Sequence, residues 1–242
     1  MTSSTSMIFN LMVQYEKDFI DIIKPLDSSF VVYPRGIWVS EMFAFCALCR
    51  ALKIQTVIES GVYLGQSTDV LDGFLSSEIQ IHSIDRILKE ELLARYKNNH
   101  RIKFYVGDGE VEIPRLLSQL GSDAMKAILL DGPKGGTALT LTKDCFKDDK
   151  NVVFVAIHDV YASSASRSLM ESSCNGWYTD DPEFVERYKY MDEGKYDRWM
   201  DERGYGKKPY ILIRPEGVSK MNSYGPTLGF LFKGGLKWVG NL

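Results

Sequence analysis

The sequence predicts an α/β fold in which a doubly wound, mostly parallel sheet carries helices on both faces. Short apolar runs alternate with helical patterns over residues 55–157, which is typical of parallel strands joined by helices. Within Glu59–Ser67, a strand that ends in an acid is followed by a turn with two glycines and then by a helix start. Turns of this kind open a nucleotide crevice in α/β sheets. An acid also ends each of five predicted strands.

The predicted elements follow from periodicity and from capping residues. Helical spacing predicts a first helix over 8–24, and Ser40 is a candidate N-cap for a second helix that extends to Leu52. The predicted strands cover 55–59, 79–84, 102–106, 126–130, 152–157, 210–214 and 227–233. Four helices are predicted between these strands. The first ends near residue 75, and the others cover 88–97, 111–120 and 138–146. The short connection between the last two strands favours antiparallel pairing, and Pro114 is expected in the first turn of its helix.

The chain is expected to form one main domain over 55–242, preceded by a helical preamble over 1–54 that packs on it. A lid-like aromatic insertion is expected at about 163–208, where the regular alternation stops. The aromatic side chains of 176–208 favour two interpretations equally. They close over the crevice and exclude water, or they belong to amphipathic helices that cover the sheet or form a dimer surface.

Composition limits the class of protein. The chain has 242 residues, 45% of them hydrophobic, and a formal net charge of -3, which disfavours a dedicated nucleic-acid partner. No signal peptide and no membrane span are expected, so a cytoplasmic protein is predicted. Homo-oligomerisation is left open. The four cysteines are expected to be reduced: Cys46, Cys49, Cys145 and Cys174. Cys46 and Cys49 are expected to be buried in a helix rather than to form a redox pair, and no second close pair completes a zinc site.

The five acids at strand ends are predicted to meet, because the carboxyl ends of parallel strands share one edge of a sheet. They are Glu59, Asp85, Asp108, Asp131 and Asp159. Asp85 has the spacing at which an acid reaches ribose hydroxyls, and Asp108 lies between glycines, where it can accept from an exocyclic amine. Glu59 is expected to orient the glycine turn or to meet a cationic group. So acidic a crevice favours a positively charged ligand.

The order Glu-x-Gly-x-x-x-Gly-x-Ser, then Asp85, Gly107-Asp108-Gly109 and Asp131 resembles the class I S-adenosylmethionine (SAM)-dependent methyltransferases. This resemblance implies a seven-stranded Rossmann-like sheet with an antiparallel last strand. It also implies SAM as cofactor, with the glycine loop around the methionine part, Asp85 on the ribose and Asp108 on the adenine. The cofactor-binding residues implied are Glu59, Ser60, Gly61, Gly65, Ser67, Asp85, Asp108, Gly109 and Asp131.

A narrower resemblance, to catechol and macrolide-sugar O-methyltransferases, rests on Leu129–Gly135 and on Ile157-His158-Asp159. In those enzymes an Asp and an acidic pair hold magnesium, whereas here His158 replaces one acid. Two roles follow for the predicted catalytic residues Asp131, His158 and Asp159. His158 acts as general base, oriented by one of the acids, or the three hold a divalent metal ion; the base role is preferred.

Lys134 has three interpretations: it counters the acids, holds an acidic substrate or is a solvated turn lysine. His82 and His100 are expected to be structural or exposed. The predicted function is SAM-dependent O-methylation of a small hydroxylated acceptor, a sugar or a secondary metabolite. The alternatives are a nicotinamide-dependent oxidoreductase, which the G-x-x-x-G spacing disfavours, and a non-catalytic nucleoside-binding protein.

Overall fold

The sheet has the predicted doubly wound topology. A computed structural model describes residues 4–24, 26, 36–121, 123–161, 164–173, 176–195 and 227–235. Within these ranges the strands are β1 (Thr56–Ser60), β2 (Gln80–Asp85), β3 (Ile102–Val106), β4 (Lys126–Leu130), β5 (Val152–Ile157), β6 (Trp177–Tyr178) and β7 (Gly229–Phe232). Their order is β3-β2-β1-β4-β5-β7-β6. Strands β1 to β5 are parallel, and β7 is antiparallel to both β5 and β6. The predicted fold, including the antiparallel closing strand, is confirmed.

Helices cover both faces of this sheet. They are α1 (Ser4–Met12), α2 (Glu16–Ile23), α3 (Val39–Ala51), α4 (Gln66–Phe74), α5 (Glu90–Arg95), α6 (Gly109–Gln119), α7 (Gly135–Asp148), α8 (Ala165–Ser173) and α9 (Pro182–Tyr188). Adjacent strand residues point to opposite faces: Val57 belongs to the core on the face of α1 to α5, and Ile58 to the core on the face of α6 to α8. Among the described helices, none is both long and apolar enough to cross a membrane.

Two local predictions are corrected, and a third is not tested. Helix α3 begins at Val39 with Trp38 at its N-cap, so Ser40 is not the cap; its side chain instead donates to Asp192 at 2.6 Å. Helix α6 begins at Gly109, two residues earlier than predicted, which moves Pro114 beyond the first turn. The predicted strand over 210–214 lies outside the described residues.

Three aromatic side chains of the described part of the insertion belong to the core, whereas Tyr190 is exposed. Phe9 of α1 packs against Trp177, Phe184 and Tyr188, with ring centroids 6.1 to 6.4 Å apart, and all four side chains are buried. Trp177 also begins the edge strand β6. For these residues the structure favours the interpretation that they cover the sheet. Trp199 and Tyr205 lie outside the described residues.

The described cysteines, Cys46, Cys49 and Cys145, are free and buried, and the burial of Cys46 and Cys49 is as expected. Burial raises the pKa of the Cys46 and Cys49 thiols, which opposes thiolate chemistry. Cys174 lies outside the described residues.

Candidate active site

A cavity of about 390 Å³ opens at the carboxyl ends of β1, β2 and β4, within the roughly 300–1,000 Å³ of small-molecule sites. It brings together five of the predicted cofactor residues: Ser60, Gly61, Asp85, Asp108 and Gly109. A second cavity, of about 510 Å³, lies between α6 and α7 and includes none of the predicted site residues. Of the five acids predicted to meet, Asp85 and Asp108 line the smaller cavity.

The turn after β1 needs its glycines. Gly61 and Gly65 have φ angles of +97° and +86°, which residues other than glycine rarely adopt. A Cβ on Gly61 would lie 2.9 Å from Cβ of Asp131, and one on Gly65 would collide with Leu92. The turn is held by Asp85, whose Oδ2 accepts from the N–H groups of Val62 and Tyr63 at 2.8 Å each. The loop and the acid after β2 thus form one unit.

Glu59 fixes the base of this turn from the core. Its buried carboxylate accepts hydrogen bonds from Ser67, from Thr68 at 2.6 Å and from Ser83 at 2.9 Å. Burial raises the pKa of Glu59, and the three hydroxyl donors partly offset this effect. Of the two predicted roles for Glu59, these hydrogen bonds favour the orienting one, and Ser67 contacts Glu59.

Three chain segments meet closely at the cavity floor. Ser60 donates to the carbonyl oxygen of Gly132. A Cβ on Gly109 would collide with Ser60 Oγ and lie 2.8 Å from that same carbonyl oxygen. Gly109 therefore permits the end of β3 to approach the ends of β1 and β4.

Asp85 and Asp108 already have partners. Asp85 Oδ1 accepts from the Ile87 N–H at 3.1 Å, which leaves fewer lone pairs for ribose hydroxyls than a free carboxylate has. Asp108 caps α6 through Glu110 N–H at 3.1 Å and accepts from Arg86 Nε at 3.0 Å. The Glu110 hydrogen bond and Arg86 lower the pKa of Asp108. Adenine would have to share Asp108 with Arg86.

A cluster of charges lies where β4 and β5 end. His158 Nδ1 lies 2.7 Å from Asp131 Oδ1, and its Nε2 lies 3.5 Å from a carboxylate oxygen of Glu41. Lys134 Nζ contacts Asp131 Oδ1 and lies 2.9 Å from Asp159 Oδ2. His158 and Glu41 are buried, while Lys134 and Asp159 are partly exposed. Three acids and two cationic side chains therefore alternate through this site.

The charges in this cluster stabilise one another. Burial opposes a charged His158, but Asp131 and Glu41 raise its pKa to about 10. Burial likewise opposes a charged Asp131, but His158 and Lys134 hold the pKa of Asp131 well below its usual range. A general base must be unprotonated at the working pH. The raised pKa of His158 opposes the predicted base role and favours an ionic one.

The predicted metal ligands converge but do not suit a divalent ion in this arrangement. Ligand atoms of Asp131, His158 and Asp159 lie within 4.8 Å of one another. Nδ1 of His158 is hydrogen-bonded to Asp131, and because a carboxylate only accepts, this nitrogen carries the proton and offers no lone pair to a metal. Nε2 lies 3.5 Å from the Glu41 carboxylate. Lys134 contacts both acids of the set.

Sequence reasoning missed a second set of buried polar side chains. Asp192 accepts from the N–H and the hydroxyl of Ser40, at 2.9 and 2.6 Å, and burial raises its pKa to about 7. Lys195 donates to the carbonyl oxygen of Ile37 at 2.7 Å, and burial lowers its pKa to about 8. Glu41 links α3 to β5 and also accepts from the Thr227 N–H. These partners lie more than 100 residues apart, so no local pattern reveals them.

Several solved methyltransferase structures align with this chain. The O-methyltransferase from Bacillus cereus in complex with SAH aligns with a TM-score of 0.50 and 14% identity, over 93% of this chain and 100% of that one. TomG, an O-methyltransferase from Streptomyces achromogenes in complex with SAM, aligns with a TM-score of 0.46 and 13% identity, over 91% and 98%. SAH-bound methyltransferase PaMTH1 from Podospora anserina aligns with a TM-score of 0.43 and 16% identity, over 92% and 87%.

At these identities the likeness establishes the fold. The predicted resemblance to class I methyltransferases is confirmed at that level, because the chain aligns with the fold of the Bacillus cereus enzyme over 93% of its length. No family model matches the chain, and no curated protein sequence matches it.

Proposed function

We propose that this protein is a SAM-dependent methyltransferase that acts on a hydroxyl group of a small acceptor, such as a sugar or a secondary metabolite. The observation that carries the proposal is the sheet order β3-β2-β1-β4-β5-β7-β6, with the glycine turn, Asp85 and Asp108 around one cavity at its carboxyl edge. The O-methyltransferase fold of the Bacillus cereus enzyme supports this reading.

The strand order argues against a nicotinamide-dependent oxidoreductase. Dinucleotide-binding sheets have the parallel order 3-2-1-4-5-6. Here β7 lies antiparallel between β5 and β6, and the turn after β1 has only two glycines, at Gly61 and Gly65. A non-catalytic nucleoside-binding protein would keep the cavity without needing the charge cluster at Asp131, Lys134 and Asp159.

The residues around the cavity fit such a cofactor, because the glycine turn and the carboxylates of Asp85 and Asp108 line one cavity of about 390 Å³, a volume in the range of small-molecule sites. When bound, SAM supplies an activated methyl group on a sulfonium. Glu59 and Asp85 would hold the glycine turn in its binding shape, and Asp85 Oδ1 and Asp108 would accept from the nucleoside. Lys134 and Asp159, the partly exposed members of the charge cluster, would contact the acceptor, while Asp131 and His158 position them.

Ligand-linked thermal stability tests the cofactor. Because a ligand that binds only the folded state raises the melting temperature, SAM and SAH should raise it and NAD should not. Asp85→Ala removes a nucleoside acceptor and releases the Val62 and Tyr63 amides, so it should abolish the SAM shift. Glu91→Ala, an exposed acid beyond the same strand, is the control and should retain it.

A shift with NAD but not with SAM would refute the proposal in favour of the oxidoreductase. If SAM stabilises wild type and Asp85→Ala equally well, Asp85 does not bind the nucleoside, while SAM remains supported as the cofactor. Incubation with labelled SAM and a metabolite extract then identifies the acceptor. Activity that survives thorough chelation would remove a metal-dependent route to the acceptor.

A further inference from the structure

We infer that the ammonium group of Lys134 takes the position between Asp131 and Asp159 that a divalent cation would otherwise fill, so that this site needs no metal ion. This inference concerns the acceptor side of the cavity and does not depend on which cofactor binds.

The contacts of Lys134 place its charge inside the candidate ligand set. Nζ contacts Oδ1 of Asp131 and lies 2.9 Å from Oδ2 of Asp159. Those two carboxylates are two of the three groups able to hold a metal. A hard dication such as Mg²⁺ prefers oxygen ligands at close range, so it would have to displace Lys134 from both.

The third group of the set is already committed elsewhere. His158 lies with Nδ1 at 2.7 Å from the same Asp131 oxygen that Lys134 contacts, and with Nε2 at 3.5 Å from Glu41. Because a carboxylate can only accept, Nδ1 donates to Asp131, while Nε2 faces the buried Glu41 carboxylate at ion-pair distance. A metal would therefore have to break the His158–Asp131 contact as well as the two contacts of Lys134.

The local sequence explains why Lys134 reaches this position. Asp131 and Asp159 follow the neighbouring parallel strands β4 and β5, so their side chains lie side by side. Lys134 follows Asp131 by three residues, directly before α7, and returns its amine to both acids. Lys134 also lines the cavity and is partly exposed, so its charge is available to an acceptor oxygen there.

Divalent-ion binding tests this inference without an activity assay. Mn²⁺ binding to the full chain would be followed by loss of the free-ion electron paramagnetic resonance signal, with Mg²⁺ as competitor. Wild type should bind no stoichiometric ion. Lys134→Ala removes the positive charge. Its affinity for Mn²⁺ should therefore exceed any residual affinity of wild type by at least about tenfold. Lys134→Arg keeps the charge and should resemble wild type, as should the exposed control Lys143→Ala.

Each outcome decides the matter. Stoichiometric Mn²⁺ binding by wild type, released by Mg²⁺, would overturn the inference even if Lys134→Ala fails to fold. Equal lack of binding by wild type and by a folded Lys134→Ala would overturn the role given to Lys134. Mn²⁺ binding by Lys134→Ala, but not by wild type, Lys134→Arg or Lys143→Ala, supports the inference. A parallel SAM thermal shift on wild type reports on the proposed function separately.

Discussion

Glu59 illustrates at the residue scale how an acid at a strand end can serve a site from beneath it. Its carboxylate accepts from Ser67, Thr68 and Ser83, which join α4 and β2 to β1. We predict that Glu59→Ala lowers the free energy of unfolding by roughly 1–3 kcal/mol, the cost of leaving a buried polar group without its partner. Urea unfolding measures this change. The exposed control Glu78→Ala should change it by less than about 0.5 kcal/mol; equal effects would contradict the role of Glu59.

His82 makes a pH-dependent contribution to stability. It is buried in β2, its Nδ1 lies 2.9 Å from the Tyr105 hydroxyl, and burial, aided by nearby Lys103, lowers its pKa from 6.5 to about 4. Above pH 6.5 neither the folded nor the unfolded state is protonated at His82. Below pH 6.5 the unfolded state binds a proton that the folded state does not, so stability is lost as the pH falls towards about 4.

His82→Gln should remove this part of the pH dependence. Urea midpoints measured between neutral pH and pH 4 should therefore fall more steeply for wild type than for His82→Gln. His100→Gln, which removes an exposed imidazole, should retain the wild-type slope. Identical slopes for wild type and His82→Gln would show that His82 does not titrate differently on unfolding.

At the scale of elements, the sequence predicted the parallel strands well because each is a short apolar run. The bounds of β3, β4 and β5 match the prediction. It missed β6, because the two residues Trp177 and Tyr178 are too few to show a period and pair only through the distant β7. The sequence prediction also places the start of α6 too late, because it assigns Asp108 to ligand binding and does not treat it as the N-cap of the helix.

The same scale explains the candidate site. The convergence of Asp131, His158 and Asp159 is predictable from the sequence, because the carboxyl ends of neighbouring parallel strands lie at the same edge of the sheet. The partners that decide their chemistry, Glu41 and Lys134, depend on side-chain directions that periodicity does not carry. The assignments of Asp85 and Asp108 to a nucleoside stay predictions.

Gly109 gives a test of how closely these elements approach. We predict that Gly109→Ala, at the first residue of α6, costs roughly 1–3 kcal/mol by overpacking, because its Cβ would collide with Ser60 and the Gly132 carbonyl. Gly136→Ala is matched to it, in the first turn of α7, where the nearest atom to the added Cβ lies 3.9 Å away. It should be neutral or stabilising. Urea unfolding measures the free energy of unfolding of both variants. An equal loss of stability in the two would contradict the close approach of these elements at Gly109.

For the whole molecule, the N-terminal helices and the closing part of the chain share one core. Phe9 of α1 packs on Trp177, Phe184 and Tyr188, and Phe19 of α2 packs on Phe43 and Phe74. The sequence predicted residues 1–54 as a preamble packed on the domain. A preamble that shares its core with the sheet should unfold together with it, because cooperative units follow buried contacts.

We therefore predict a single unfolding transition, with coincident urea curves from near-ultraviolet and far-ultraviolet circular dichroism. Phe9→Ala should lower the free energy of unfolding by about 3–5 kcal/mol and shift both curves equally. Val13→Ala, at a partly exposed position in the turn after α1, should shift neither by more than about 0.5 kcal/mol. Two separate transitions, with Phe9→Ala affecting only the first, would instead make the N-terminal helices an independent unit, since the aromatic contacts would then contribute nothing to the stability of the sheet.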